Sequence, residues 1–284
     1  MFVNKERRMI EPEQQKQLML DMLKYVDNIC RKNDIKYSLI GGSLIGAIRH
    51  HGFIPWDDDI DLIMEYDNYH KFLDVIKSEK NGCYRFFIPG ETDDYPLQFA
   101  KLINTNTRMK ERGVAREIRD YGIFVDIFYY NNVPDDMKKA KKYYDKYKFL
   151  TKCLSKLQID SDLNFKQKTI RRLKNIYISV FGYKRNLKKI LKLFETYTRD
   201  TSSFVMSNNP LYGFKKEIQL KKNIEEYIDA DFEGLKVMIF KNYDEILRTT
   251  YGDYMKLPPK SEQIPKHNLE TWWKEEENEK DIEE

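Results

Sequence analysis

Residues 41–62, which read GGSLIGAIRHHGFIPWDDDIDL, are the most informative part of the sequence for predicting the fold. Four of the five residues from Asp57 to Asp61 are carboxylates, and like charges this dense repel one another unless a cation neutralises them or water screens them. Residues two apart on a strand share a face, so we expect Asp59 and Asp61 to project together from a strand over residues 58–64. Carboxylate oxygens in this arrangement suit a hard divalent cation, Mg²⁺ or Mn²⁺. The stretch therefore predicts a metal site.

The same stretch opens on two glycines and a serine. We interpret residues 36–40 as a short strand, Gly41-Gly42 as a turn, and residues 43–50 as a short helix. Glycines let a phosphate approach the backbone, and the N–H groups of a helix N-terminus attract it, so Gly41, Gly42 and Ser43 are candidate phosphate-binding residues. Either motif alone fits a plain turn or a solvated loop. A phosphate cradle beside metal-binding carboxylates predicts phosphoryl transfer.

The order of these features resembles a known family. Gly-Gly-Ser, a short helix and an Asp-x-Asp pair on a neighbouring strand are typical of the nucleotidyltransferase fold, and residues 41–64 closely resemble the LicD family. Weaker similarity extends over residues 101–107, 120–128 and 251–259. The resemblance implies an α+β fold with a polymerase-beta-type mixed sheet flanked by helices. It also implies a relation to the fukutin-type proteins.

The resemblance further implies a third carboxylate on an adjacent strand. The candidate is Asp126, the single acid in the strand predicted over residues 123–130. A buried acid without a partner is costly, which favours a functional role over a structural one. We therefore expect Asp59, Asp61 and Asp126 to bind the metal and act in catalysis, with Asp126 also the candidate acceptor of a proton. The two acids before Asp59 match the family pattern but lack the metal-binding spacing.

Three basic residues are candidates for binding the donor. Lys101 lies inside the strand predicted over residues 97–103, where its ammonium either contacts the donor phosphates or reaches the surface along its aliphatic stem. Arg49 and His50 resemble the Arg-His pair of the family, which implies contact with phosphate or with the carboxylates. A plain position on the helix surface is the alternative for both.

The function implied by the resemblance is transfer of a phospho-alcohol from a CDP-linked donor to a sugar hydroxyl of a cell-surface glycan, of the teichoic acid, lipopolysaccharide or capsule type, with release of CMP. We favour phosphocholine over ribitol or glycerol phosphate, because 20 Tyr, 16 Phe and 3 Trp can supply the aromatic faces that hold a quaternary ammonium. The carboxylates alone do not exclude an NTP-dependent nucleotidyltransferase. A non-enzymatic membrane or nucleic-acid binding protein is a further alternative, although no nucleic-acid motif is found, and we expect no nucleic-acid partner.

Charge divides the chain into parts. Residues 138–192 contain 18 Lys and Arg against three acids, whereas eight acids lie within residues 270–284. We expect four parts, which are a catalytic core over residues 1–134, a Lys-rich helical insertion over 135–203, the completion of the core over 204–268, and an acidic flexible tail over 269–284. Apolar residues in the basic part recur at helical spacing, which fits either packing on the core or contact with an anionic membrane surface, where a lipid-linked glycan acceptor would lie.

The remaining elements follow from local patterns. Periodicity predicts helices over residues 11–33 and 243–251, the latter ending before Pro258-Pro259, and a helix capped by Asp67 that runs to residue 78. A further strand is predicted over residues 84–88 and a hairpin at residues 232–235. We find neither a signal peptide nor an apolar run of the roughly 18 to 20 residues that a membrane span needs. We therefore expect a cytoplasmic protein, peripheral at the inner face of the plasma membrane if the basic helices bind there.

Overall fold

The computed structural model describes residues 7–79, 81–111, 118, 120–155, 182–265 and 269–274. Its helices in this part of the chain are α1 (Pro12–Lys32), α2 (Gly41–His50), α3 (Tyr66–Ser78), α4 (Met137–Ser155), α5 (Tyr183–Phe194), α6 (Phe214–Glu217) and α7 (Tyr243–Tyr251). Its strands are β1 (Ser38–Leu39), β2 (Asp61–Glu65), β3 (Tyr84–Phe87), β4 (Ala100–Asn104), β5 (Thr107–Glu111), β6 (Phe124–Val133), β7 (Phe204–Ser207), β8 (Ile218–Leu220), β9 (Tyr227–Phe232), β10 (Leu235–Phe240) and β11 (Leu269–Trp273).

The central sheet is built around β6, whose ten residues are all buried. The strand order is β1-β2-β6-β4-β3, with β7 paired to the last part of β6 and β8 paired to β7. β2 runs parallel to β6, whereas β4 and β7 run antiparallel to it. α1 and α3 pack against β6. A mixed sheet with helices against it confirms the α+β class, and the segment after residue 203 contributes two strands to this same sheet.

The register of the sheet places three charged residues side by side. Asp61 on β2 pairs with Asp126 on β6, and Asp126 pairs on its other side with Lys101 on β4. We call these three residues the strand row. Because side chains alternate along a strand, every second residue of β6 lies on the same face as Asp126. That face lines a cavity, to which β6 contributes Phe124, Asp126, Phe128 and Tyr130.

The first helix shows how local sequence fixes an element. α1 begins at Pro12, whose ring suits the first helical position, and the backbone N–H of Glu11 donates to Gln14 Oε1 at 3.3 Å. Its apolar residues recur at intervals of three and four and are buried in the core, among them Met19, Met22, Leu23, Val26 and Ile29. The prediction of a helix over residues 11–33 is confirmed.

Three boundaries around the motif differ from the predictions. α2 begins at Gly41, not at residue 43, because the N–H of Leu44 already donates to the Ile40 carbonyl at 3.3 Å. β2 begins at Asp61, not at residue 58, so Asp59 lies in the preceding loop. The N-cap of α3 is Glu65, and Asp67 lies in its first turn.

The predictions for the C-terminal part are mixed. The hairpin of β9 and β10 is confirmed, and its turn residues Glu233 and Gly234 have positive φ angles of 51° and 78°. α7 has the predicted bounds but ends at Gly252, whose φ is 76°, before Pro258 is reached. Residues 269–273, predicted as the start of a flexible tail, instead form β11, which pairs antiparallel with the unpredicted strand β5.

The basic part of the chain packs on the core. In α5, Leu187, Ile190 and Phe194 are buried, and the Phe194 ring lies 5.1 Å from that of Tyr129 on β6. The Tyr147 hydroxyl of α4 donates to the Asn208 carbonyl at 2.7 Å. The predicted helix around Arg171 and Arg172 lies outside the described residues. Of the helices that are described, each is too short or too polar to cross a membrane.

Candidate active site

The strand row opens into a cavity of about 640 Å³. One wall is the face of the central sheet, a second is the first turn of α2 with the loop before β2, and a third comes from residues 207–219 and α7. The predicted site residues that line it are Gly41, Gly42, Arg49, Asp59, Asp61, Lys101 and Asp126. The structure therefore brings together all of the predicted site residues except Ser43 and His50.

The two glycines lie against carboxylates. A Cβ atom on Gly42 would lie 2.1 Å from Asp57 Oδ2, so no side chain fits there unless Asp57 moves. Gly41 has a φ of 64°, and a Cβ atom on it would lie 3.3 Å from Asp61 Oδ2 and 3.7 Å from the Tyr251 hydroxyl oxygen. The glycines thus make room for the protein's own carboxylates, and their contact with a phosphate stays a prediction.

Ser43 and His50 have positions different from those predicted. Ser43 is buried, and its hydroxyl accepts a hydrogen bond from the backbone N–H of Asp61 at 2.9 Å. It therefore fixes the start of β2 instead of presenting its hydroxyl to a ligand. The His50 ring lies edge-on to Trp56 at 6.5 Å, and its Nδ1 accepts from Arg49 Nε at 3.4 Å. Burial, and then the charge of Arg49, lower the pKa of His50.

Arg49 lines the cavity and also holds the segment that follows α7. Its Nη1 donates to the Tyr254 carbonyl at 2.6 Å and to the Lys256 carbonyl at 3.4 Å. Burial lowers the pKa of Arg49. Arg49 therefore joins the end of α2 to the C-terminal wall of the cavity, a contact that sequence reasoning did not foresee.

Lys101 is fully enclosed. Its ammonium forms an ion pair with Asp126 Oδ1 and lies 3.3 Å from the ring centroid of Phe124. Burial works against the ammonium, but the Asp126 carboxylate and Tyr121 more than offset it, so the pKa of Lys101 is raised. The alternative in which Lys101 reaches the surface is wrong, since only 3% of the residue is exposed.

The carboxylates of the site repel one another strongly. Asp61 keeps some exposed surface because it opens on the cavity, but protein atoms surround it closely, and this enclosure raises its pKa well above 3.8. The charges of Asp59, Asp126 and Asp57 raise the pKa of Asp61 further, in that order, and Lys101 acts in the opposite direction. Asp57 is therefore a site residue that spacing alone did not single out.

These residues fit a divalent cation. Asp57, Asp58 and Asp59 each offer a carboxylate oxygen, and the three atoms lie within 4.8 Å of one another. A cation beside the loop and the strand row would relieve the repulsion that raises the pKa of Asp61. A set of ligands made only of oxygen atoms is the chemistry that Mg²⁺ and Mn²⁺ prefer.

The third wall supplies residues that sequence reasoning missed. Tyr212 and Tyr251 line the cavity with ring centroids 5.3 Å apart and hydroxyl oxygens 3.2 Å apart. Glu217 is buried, and its carboxylate accepts from the backbone N–H of Tyr212. Only Tyr251 carried a signal, since it opens one of the stretches that resemble the family. The others are distant in sequence from the motif.

A buried row of opposed charges beside a cavity of ligand size is typical of an enzyme that binds a charged substrate. Residues 34–160 match the family described as LicD/FKTN/FKRP, nucleotidyltransferase domain. The lipopolysaccharide cholinephosphotransferase LicD of Haemophilus influenzae is 33% identical over 265 residues, which cover 91% of this chain and 97% of that protein. The chain belongs to the LicD family.

Other relatives match a much shorter part of the chain. The ribitol 5-phosphate transferase FKRP of Mus musculus is 49% identical over 39 residues, which cover 14% of this chain and 8% of that protein. FKRP of Homo sapiens gives the same identity and coverage. The predicted relation to fukutin-type proteins is confirmed.

Proposed function

We propose that the protein transfers phosphocholine from CDP-choline to a sugar hydroxyl of a cell-surface glycan and releases CMP, on a polymerase-beta-type nucleotidyltransferase fold. The observation that carries the proposal is the strand row in a cavity lined by acids and aromatic rings, in a chain similar over nearly its whole length to a cholinephosphotransferase. The acceptor is a glycan of the lipopolysaccharide, teichoic acid or capsule type.

The cation belongs to the proposal. Asp59, Asp61 and Asp126 would hold Mg²⁺ or Mn²⁺, and Asp57 lies close enough to Asp61 to raise its pKa. When bound, the cation neutralises charge on the donor phosphates and on departing CMP. The acids of the chain hold the cation, and the Lys101–Asp126 ion pair fixes the orientation of the central carboxylate.

The transfer proceeds by displacement at phosphorus. The acceptor oxygen forms a bond to the phosphorus that carries choline, the bond from this phosphorus to the CMP oxygen breaks, and CMP leaves with the electron pair. Asp126 accepts the proton of the attacking hydroxyl. Its place in the middle of the strand row, between Asp61 and Lys101, supports this role.

A panel of nucleotide donors tests the proposal. The purified protein is incubated with Mg²⁺, a glycan acceptor and CDP-choline, CDP-ribitol, CDP-glycerol, CTP or ATP. We expect CMP and choline-labelled glycan from CDP-choline. CMP from CDP-ribitol or CDP-glycerol alone would overturn the choice of donor, and pyrophosphate from CTP or ATP would establish the alternative, an NTP-dependent nucleotidyltransferase.

Contact with the inner face of the plasma membrane is also proposed. The apolar face of α5 is buried in the core, so this helix can offer a membrane only its polar face, whose exposed cations include Lys188, Lys189 and Lys192. Each basic side chain near an anionic surface contributes about 1 kcal/mol. We expect salt-sensitive binding to phosphatidylglycerol vesicles, weakened when these three lysines are changed to Gln. Equal binding to phosphatidylcholine vesicles, or none at low ionic strength, would contradict this.

A further inference from the structure

The cavity contains two groups of aromatic side chains, each beside a carboxylate. The first group surrounds Lys101, whose ammonium lies 3.3 Å from the ring centroid of Phe124, 5.3 Å from that of Phe99 and 5.7 Å from that of Tyr121. Asp126 completes this environment through its ion pair. In this cavity, three aromatic rings and one carboxylate therefore bind a cation that belongs to the protein, the Lys101 ammonium.

The second group has the same composition. Tyr130, Tyr212 and Tyr251 line the cavity together with the buried carboxylate Glu217. The rings of Tyr212 and Tyr251 are nearly perpendicular, at 80°, and form a corner. Burial, and then the charge of Glu217, raise the pKa of Tyr130, which places the carboxylate near that ring as well. We call these four residues the tyrosine corner.

The two groups differ in what occupies them. Within the described residues, no Lys or Arg side chain lies over the rings of Tyr130, Tyr212 or Tyr251, whereas Lys101 lies over three rings of the first group. Lys216 also lines the cavity but is exposed at its rim. Lys148 donates to the Tyr144 hydroxyl and to the Tyr212 carbonyl, not to the faces of the corner. Burial raises the pKa of Glu217, and the charge of Lys148 acts in the opposite direction, but among the described residues no cation covers the ring faces of the tyrosine corner.

The tyrosine corner begins next to the carboxylates of the active site. The Tyr251 hydroxyl oxygen and Asp61 Oδ2 both lie within 4 Å of the point that a Cβ atom on Gly41 would occupy. Burial, the Tyr212 hydroxyl, and then the charges of Asp61 and Glu217 raise the pKa of Tyr251, so both acids act on this side chain. A ligand that carries a phosphate at Asp61 and a cation on a short spacer would reach the corner.

We propose that the tyrosine corner binds the quaternary ammonium group of the donor and selects it over neutral alcohols. The inference rests on the proposed function and adds the residues that recognise the alcohol. A quaternary ammonium has no N–H group to donate, so aromatic faces and a carboxylate are the partners open to it. A neutral polyol would make no cation–π contact with the three rings, which disfavours it.

A matched set of variants tests the corner. Tyr212→Leu removes a ring, Tyr212→Phe keeps it, and Glu217→Gln removes the charge while an oxygen remains to accept from the Tyr212 N–H. We expect Tyr212→Leu and Glu217→Gln to raise the KM for CDP-choline roughly tenfold, with kcat changed less. Tyr212→Phe should stay within about twofold of the wild type. The inhibition constant of CMP, which lacks choline, should be unchanged in all three variants.

Binding of tetramethylammonium, measured by calorimetry, separates this inference from the proposed function. Weaker binding in Tyr212→Leu and Glu217→Gln, with Tyr212→Phe like the wild type, supports the corner even if no CDP-alcohol is turned over. An unchanged KM for CDP-choline in both variants overturns the corner and leaves the transferase activity standing. Absence of tetramethylammonium binding to the wild-type protein at millimolar concentration also overturns it.

Discussion

The acids of the site come from two regions that hold them in different ways. In the strand row, Asp61 and Asp126 lie opposite each other on paired strands, so the hydrogen bonds of the sheet fix their separation. In the loop before β2, Asp57, Asp58 and Asp59 are half-buried. We call these three the loop acids, and their positions depend on side-chain contacts, such as the Asp58 carbonyl accepting from Gln15 Nε2 at 3.3 Å.

The acids of the strand row and the loop acids also differ in how closely protein atoms enclose them. The strand row is enclosed, and this enclosure raises the pKa of Asp61 well above 3.8 before the charges of Asp59, Asp126 and Asp57 raise it further. Asp58, one of the loop acids, is half-buried and does not line the cavity. Changes in the strand row should therefore alter chemistry and stability together, whereas changes in the loop should act through the charges of Asp57 and Asp59 on Asp61 and through where the loop places them.

The largest expected effect follows from neutralising Asp61. Asp61→Asn removes a cation ligand at the cavity, and we expect kcat/KM to fall about a thousandfold or more at saturating Mg²⁺. Asp67→Asn is the matched control, because Asp67 is exposed in the first turn of α3 and does not line the cavity. It should cost less than about fivefold. Near-normal turnover of Asp61→Asn would show that the strand row does not bind the cation.

The second prediction concerns the ion pair in the strand row. Lys101→Met keeps an aliphatic chain among the rings but removes the cation beside the buried Asp126 carboxylate. We expect the free energy of unfolding to fall by about 3 to 5 kcal/mol, as is usual when one partner of a buried pair is lost. Urea denaturation measures it.

An exposed pair supplies the control for Lys101. Lys184→Met removes the cation from an exposed surface pair with Asp93, which should leave the free energy of unfolding nearly unchanged. If Lys101→Met proves no more destabilising than Lys184→Met, the strand row does not depend on its internal cation.

Much of the strand row could be predicted from the sequence, and the loop geometry could not. Asp126 was identifiable because one acid stands among apolar strand residues, and that pattern is local. The assignment of Asp59 to the same strand as Asp61 was wrong, because the break before β2 is set by distant contacts such as that of Gln15 with Asp58. Alternation over five residues cannot show where pairing begins.

The tyrosine corner and the small sheet were beyond prediction for a related reason. β5 reads TRMKE, which has little apolar content, and its partner β11 follows more than 150 residues later in the chain. Such a strand is stabilised by its pairing and not by its own propensity. The functional importance of Tyr212 and Glu217 likewise could not be predicted from local sequence, because they reach the cavity only through the pairing of β7 with β6.

The third prediction tests how the loop acids are positioned. Gly42→Ala places a Cβ atom 2.1 Å from the present position of Asp57 Oδ2, so Asp57 must shift. We expect a roughly tenfold to hundredfold fall in kcat/KM, because misplacement of about 1 Å has effects of this size. Gly82→Ala is the control, since a Cβ atom there meets nothing within 4 Å. Equal activity of the two variants would exclude a role for the close approach at Gly42.

The smallest effect is a pH dependence that follows from the enclosure of Asp61 in the strand row. The pKa of Asp61 in the folded chain is raised well above 3.8, first by burial and then by Asp59, Asp126 and Asp57. The folded protein therefore binds this proton more tightly than the unfolded chain does. The resulting stabilisation is complete below the pKa of the unfolded carboxyl and is lost as the pH rises through the raised pKa of the folded state. In the presence of a chelator, the wild type should lose stability relative to Asp61→Asn as the pH rises above about 4, measured by urea denaturation at each pH. Saturating Mg²⁺ should reverse the difference at neutral pH, because a cation bound to the ionised carboxylate stabilises the folded state by mass action. A difference between the two proteins that is constant with pH would mean that the enclosure of Asp61 does not perturb its ionisation.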